Sequence, residues 1–353
     1  MTFEEAVEAI EPLDTGAARA AAEHQDRLTK PRGALGRLES LGIQLAAIAG
    51  VSPPAVPEPA TVAVFAGDHG VVAEGVTPWP QEVTAQMVAN FSAGGAAINV
   101  LARHVGAEVV VVDVGVAGDV DATGSLLVRK VRRGTRNLAI EPAMTRDEAR
   151  AARDVGAEVA ADAVARGARV LVTGEMGIGN TTPAAALVAA CTGLPATRVT
   201  GRGTGIDDER LALKIGVIER ALGRFAAEDD DDPLALLASL GGLEIAALAG
   251  FIVGGAHARV PVIVDGVIAL SALAITARLA PAALPYCIAG HRSTEPGATA
   301  VLEHLGLEPV LDLELRLGEG SGACLALPVV QAAAKILREM ATFDAAGVSD
   351  KTT

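Results

Sequence analysis

The stretch RVLVTGEMGIGNTTPAAALVAA, residues 169–190, decides the fold. Arg169–Thr173 is a β-branched apolar run, Gly174 to Asn180 is a glycine-rich turn, and Thr182-Pro183 reads as an N-cap followed by proline at the first helical position of an alanine-rich helix. Strand, tight loop and helix in that order make half of a parallel βαβ unit. Similar runs at Ala60–Ala66, Glu108–Val114 and Pro261–Val264 are each followed by Gly or Asp and then by an alanine-rich helical pattern. The alternation predicts an α/β fold, a mostly parallel sheet flanked by helices. Thr145 and Glu148 form a capping-box pattern ahead of a further long helix.

Composition agrees and excludes much else. Of 353 residues half are hydrophobic but only 2% are aromatic, with 39 glycines, so the core is built from Ala, Val, Leu and Ile. A net charge of −14 argues against nucleic acid as a partner. The most apolar stretch, Ile263–Leu279, contains Asp265 and Arg278 and is too short and too charged for a membrane span. The N-terminus is acidic where a signal peptide is basic, and Cys191, Cys287 and Cys324 lack metal-ligand or disulfide spacing, which together fit a reducing cytoplasm. No metal site and no cofactor are expected. The acidic run Glu228–Asp232 reads as a solvated loop. Residues 1–45 and 323–353 read as helices without strands, expected to form a small helical domain beside an α/β catalytic domain over 46–322.

In open parallel sheets ligands bind beyond the carboxyl ends of strands, so the loops there carry the chemistry. GEMGIGNTTP, Gly174–Pro183, aims backbone N–H groups and a helix N-terminus at one concavity, an anion site. Asn180 stands where a P-loop has its lysine, so a monophosphate suits the loop better than a triphosphate, with Gly177, Gly179, Asn180, Thr181 and Thr182 as donors. TGRGTGIDDERLALK, Thr200–Lys214, has glycines at 201, 203 and 205 and a helix start at Asp207. Lys214, about two turns into that helix, could supply the missing cation or lie on a solvated face. AGDHG ends an apolar strand with Asp68 and His69, whose local sequence allows a base, a ribose ligand or half a metal site. Trp79, the only tryptophan, lies between two prolines and could lie against a flat ring. Finally, Leu311, Leu313, Leu315 and Leu317 alternate as in a half-buried strand, followed by Glu319 between two glycines and a helix from near Ser321. Glu319 reads as a general base raised by apolar walls, or as a helix cap.

In order, the blocks KPRGALGRLE (Lys30–Glu39), AGDHGV, PQEVTAQMV, GGAAINVLA, GEMGIGNTT, GRGTGID, PVIVDG and RLGEGSGA resemble the nicotinate-nucleotide:dimethylbenzimidazole phosphoribosyltransferases, which activate the lower ligand of cobalamin. The blocks span most of the chain. The resemblance implies a Rossmann-like domain with a small helical domain from both termini, a homodimer, no metal requirement, and nicotinate mononucleotide and a benzimidazole-type base as substrates. It implies Glu319 as catalytic base, the GEMGIGNTT loop with Gly203 and Lys214 around the nucleotide, and Pro78, Trp79, Gln86 and Leu317 around the base. Glu175 is a candidate for stabilising a developing oxocarbenium; Asp265 and His291 are candidates without an assigned role. Two departures bear on the choice of base: Gly290 stands where a serine is expected before His291, and Pro78 where a small hydroxyl residue can occur. The alternatives are a nucleotide glycohydrolase that uses water and a non-catalytic nucleotide-binding paralogue.

Overall fold

The computed structural model describes residues 2–120, 124, 126–203, 205–226, 228 and 231–349. Helices α1 (Phe3–Glu8), α2 (Thr15–Arg27) and α3 (Arg37–Ala49) precede β1 (Ala60–Gly67). Then come α4 (Glu82–Ala93), α5 (Ala97–Val105), β2 (Ala107–Gly115), β3 (Leu126–Val128), α6 (Arg146–Ala165) and β4 (Val170–Met176). Helices α7 (Thr181–Thr192), α8 (Ala196–Val199), α9 (Asp208–Ala226), α10 (Pro233–Leu240) and α11 (Leu243–His257) lead to β5 (Val262–Val264). They are followed by α12 (Val267–Leu279), β6 (Cys287–Ala289), α13 (Pro296–Leu305), α14 (Ser321–Glu339) and α15 (Phe343–Ala346).

The strands form one parallel sheet in the order β3-β2-β1-β4-β5-β6. This is the doubly wound order, and its crossovers diverge between β1 and β4, opening a crevice at their carboxyl ends. All eight residues of β1 are buried, as a central strand covered on both faces requires. One face packs Val62, Val64 and Ile263 against Leu41 and Leu45 of α3, Val88 of α4, Ile98 of α5 and Leu327 of α14. The other packs Phe65, Val112 and Leu171 against α6, α7, α11 and α12, with Phe65 edge-on to Phe251 at 5.5 Å. Small residues make this close: a Cβ at Gly250, in α11, would overlap the backbone of Arg153 in α6.

Several expectations shift. Strands β3 and β6, three residues each, are not among the apolar runs that predict the sheet. Strand β4 runs on to Met176, so Gly174 and Glu175 lie in the strand rather than the loop. Helix α7 begins at Thr181 with Asn180 as its cap residue, not at Thr182-Pro183. Pro183 is tolerated two residues further in, at the third helical position, because first-turn N–H groups have no helical partner anyway. The leucine-alternating stretch is not a strand: only Leu311 bridges to His291, and Glu314 adopts φ +56°, turning the chain so that Leu313 and Leu317 stay exposed.

The expected boundaries at 45/46 and 322/323 fall inside α3 and α14. Helices α2, α3 and α14 do meet, burying Ala21, Ala46 and Leu337 together, while α3 and α14 also cover the sheet. Residues 1 and 350–353 of those terminal segments, and 229 and 230 of the acidic run, lie outside the described residues. The end of that run is structural: Asp232 caps α10 and pairs with Arg146 at 2.6 Å. No helix among the described residues is long and apolar enough to cross a membrane.

Candidate active site

The crevice at the switch point holds a cavity of about 370 Å³. Its walls fall into three chemistries: Gly177, Thr181 and Gly203 offer polar groups; Trp79, Val83, Met87, Ile178 and Leu317 are apolar; Glu175, Glu295 and Glu319 are carboxylic.

The polar end is built from two loops that the sequence could not join. Lys214 on α9 points inward, 2% exposed, and its Nζ donates to Thr181 Oγ1 at 2.8 Å and to the Gly201 carbonyl at 3.2 Å. The cation absent from the β4 loop is therefore delivered from α9, and the solvated-face reading of Lys214 is overturned. Burial lowers the Lys214 pKa to about 8 against the opposing pull of Glu295. Thr181 keeps its own hydroxyl proton to donate. Asn180 and Thr182 contribute less than expected, because their backbone N–H groups already bond to the Gly177 and Gly179 carbonyls. The Thr182 hydroxyl is buried away from the cavity, and Gly179 does not line it. Residue 204, within the GRGTGID block, lies outside the described residues.

Glu319 lines the same cavity, on a loop packed against the end of β4. It adopts φ +63°, flanked by Gly318 at +86° and Gly320 at +89°. A left-handed glutamate costs on the order of 1–2 kcal/mol and persists only where surroundings enforce it. Here a Cβ at Gly318 would overlap the Glu175 carboxyl, and Asp265 grips the far side, accepting N–H bonds from Gly320 (3.2 Å) and Ala323 (2.8 Å). Glu319 Oε2 accepts the Ile98 N–H at 3.1 Å, in the first turn of α5, a favourable place for a negative charge. Burial raises the Glu319 pKa, the Ile98 bond lowers it and Asp265 raises it, for a net upward shift. Glu175, deeper in the cavity, is pushed up to about 8 by burial first and then by the Asp265 and Glu244 charges, although Asn180 donates to its carboxyl.

Asp68 and His69 lie behind this cavity rather than in it. His69 Nε2 is 2.8 Å from Glu244 Oε1, with both side chains fully buried. Burial disfavours the imidazolium, but Glu244 outweighs it and the His69 pKa rises. Gly177 packs on that ring: a Cβ there would come within 3.1 Å of His69 Nε2. Asp68 accepts the Ala117 N–H at 2.8 Å, and burial raises its pKa. His291 lines the cavity with its Nε2 3.3 Å from Asp265 Oδ1. Among the described residues no group of His, Cys, Asp and Glu is arranged to hold a metal ion.

Of the expected base-pocket residues, Trp79 and Leu317 line the cavity. Pro78 and Gln86 do not; Gln86 is exposed on α4, while Val83 and Met87, one turn apart, face inward. The Gly290 departure is also a matter of packing, since a Cβ there would sit 2.6 Å from Ala323 Cα in α14 and not in the cavity. Glu295 escaped the sequence reading because a glutamate before proline at a helix start looks like a cap. It makes no cap bond, and instead its Oε1 accepts the Gly203 N–H at 2.8 Å.

A doubly wound sheet whose switch-point cavity joins polar loop groups, backed by a buried lysine, to an apolar slot and three carboxyls has the form of an enzyme site for a small molecule. A family profile described as phosphoribosyltransferase matches residues 10–348. A nicotinate-nucleotide–dimethylbenzimidazole phosphoribosyltransferase from Salinispora tropica is 56% identical, spanning 99% of this chain and 100% of that protein. One of the same name from Chloroflexus aurantiacus is 58% identical over 97% of each. The crystal structure of the enzyme of that name from Thermus thermophilus superposes with a TM-score of 0.91 at 47% identity, covering 96% of this chain and all of that one. The chain belongs to the nicotinate-nucleotide–dimethylbenzimidazole phosphoribosyltransferase family, and is a pentosyltransferase.

Proposed function

We propose that this enzyme transfers the phosphoribosyl group of nicotinate mononucleotide to 5,6-dimethylbenzimidazole or a related base, giving nicotinate and the α-linked ribazole 5′-phosphate for the cobalamin nucleotide loop. The observation that carries the reading is Glu319, a strained carboxylate between an apolar slot and a phosphate cradle. The nucleotide's phosphate lies at the Thr181 hydroxyl and Lys214 ammonium, two groups already joined at 2.8 Å. The incoming base lies between Trp79, Val83, Met87 and Leu317.

In the nucleotide the pyridinium nitrogen is cationic, so cleavage of its bond to C1′ returns the electron pair to the ring and no general acid is needed. One benzimidazole nitrogen attacks C1′ from the opposite face, inverting the β linkage to α, while the proton on the other nitrogen passes to Glu319. An upward-shifted carboxylate is a stronger base for that step. Glu175 is largely neutral in the free enzyme below pH about 8. A cationic ring and a developing oxocarbenium beside it favour its ionised form, so its negative charge grows where positive charge grows. Homodimer formation, implied by the family, accords with the exposed Leu313 and Leu317 and is checked by light scattering. Cytoplasmic residence accords with Cys191, Cys287 and Cys324 all being free thiols.

The test is incubation of the pure protein with nicotinate mononucleotide and a panel of bases. The expected result is a new nucleotide whose anomeric proton reports the α configuration. Nicotinate release at the same rate without any base would instead establish a hydrolase.

A further inference from the structure

Thr84 faces away from the cavity, yet it joins the two halves of it. It lies on α4 between Val83 and Met87, the residues of that helix that line the apolar slot, and it is fully buried. Its hydroxyl accepts the Ile178 N–H at 3.1 Å, across the crevice floor. Ile178 sits in the nucleotide loop, next to Gly177 and three residues before Thr181. That N–H is thereby withdrawn from any phosphate and used to tie loop to helix. On its other side Thr84 meets Asp68, whose carboxylate also takes the Ala117 N–H and faces the Gln81 side chain at the start of α4. Thr84 thus accepts from Ile178 and lies beside the Asp68 carboxyl, where its hydroxyl favours the carboxylate charge.

The loop has little freedom to move without pulling this bond. Gly177 is wedged against the Gly67 carbonyl and the His69 ring, and His69 is locked to Glu244. A shift of the loop when phosphate and ribose settle at Thr181 is therefore transmitted through Ile178 and Thr84 to the slot-lining turn of α4. We propose that Thr84 is a positioning residue that couples the two substrate subsites, so that filling the nucleotide loop tightens the slot on the incoming base. This rests on the phosphoribosyl-transfer reading above. It adds that the enzyme favours base binding once ribose phosphate is in place.

The chain's single tryptophan, Trp79, lines the slot, so its fluorescence reports base binding directly. The experiment titrates 5,6-dimethylbenzimidazole into the full-length protein with and without saturating ribose 5-phosphate, a fragment of the nucleotide that cannot react. Wild-type protein is expected to bind the base at least about 5-fold more tightly with ribose 5-phosphate present, the lower end of ordinary coupling between sites. Thr84→Val, which keeps the shape and removes the hydroxyl, should bring the ratio to within about 2-fold of unity, and Thr84→Ser should restore it. A purely structural role for Thr84 would lower melting temperature while leaving the ratio intact, and that result overturns the proposal. So does a wild-type ratio of unity, a measurement that needs no variant to fold. Initial rates of α-linked product formation are measured alongside: normal turnover without coupling overturns only the role of Thr84, whereas absence of product overturns the phosphoribosyl-transfer reading and the coupling with it.

Discussion

The two loops that line the cavity, one after β4 and one before α14, are built on opposite principles. The β4 loop, from Gly177 to Asn180, is a short passage between a buried strand and a buried helix, and the Asn180 and Thr182 amides turn back onto the Gly177 and Gly179 carbonyls within it. The loop that carries Glu319 wanders without regular structure from Leu311 to Gly320, leaves two leucines in solvent and holds two non-glycine residues, Glu314 and Glu319, in left-handed backbone. The first offers its polar groups because secondary structure ends there. The second owes its shape to what pins its end, namely Asp265 and the Ile98 amide. Binding groups can be supplied by regular elements, whereas a carboxylate aimed across a cavity required chain that local preference would not choose.

The largest expected effect breaks the second loop's chemistry. Glu319→Gln keeps shape and hydrogen bonding but cannot take a proton, so turnover should fall about 10²- to 10⁴-fold with base affinity retained. In wild type kcat/KM should decline as pH falls through the raised Glu319 pKa, because the protonated acid is no base, and the variant should lose that limb. Near-normal turnover in Glu319→Gln, measured by product chromatography, would return this residue to a capping role.

Lys214→Ala strikes the first loop. Loss of one charge-assisted contact is worth about 1.5–3 kcal/mol, so the KM for nicotinate mononucleotide should rise roughly 10- to 150-fold with the KM for the base far less affected. The sign of the pH dependence follows from burial. An ammonium with its pKa lowered to about 8 loses its charge as pH rises through that value, so wild-type nucleotide binding should weaken above pH about 8. The alanine variant should lack that alkaline limb, and an unchanged nucleotide KM would remove Lys214 from the site.

A smaller effect sharpens the contrast between useful and idle strain. Both Glu314 and Glu319 are left-handed, but only Glu319 lines the cavity. Glycine at Glu314 relieves the strain, less the entropy that glycine loses on folding, for a net gain of about 0.5–1 kcal/mol read as a higher Tm, whereas at Glu319 it also strips the Ile98 amide of its partner and the gain is lost. Glu314→Gly should keep full turnover and Glu319→Gly should lose it. Equal turnover in the two variants would mean that the strain at Glu319 serves nothing. The smallest expected effect is none: exhaustive chelation should leave activity intact, since leaving-group departure and proton removal here need no Lewis acid. Loss of activity in EDTA with recovery on adding a divalent ion would count against this.

The limits of sequence reading follow the same division between the loops. Residues 169–190 showed their strand, turn and helix because each has a local signature, although the boundaries moved by up to three residues where β4 ran on through Gly174 and Glu175. The alternating leucines gave a false strand, since period-two spacing carries no record of the turn that Glu314 makes. Val83 and Met87 were hidden in a motif whose glutamine looked the better ligand. Helical phase about α4, which places Gln86 outward, is set by packing rather than composition.

By itself the sequence determined that the chain is a parallel α/β protein with its chemistry at strand ends, and its ordered motifs determined the family. Apolar periodicity, glycine and capping residues are local, so they survive being read one segment at a time. Only the tertiary structure decided that Lys214 reaches Thr181, that Glu295 turns back to Gly203 and that Asp68 and His69 brace the site from behind. Those pairings join residues from 33 to 175 positions apart, and their energetics depend on burial, which no local stretch of sequence specifies.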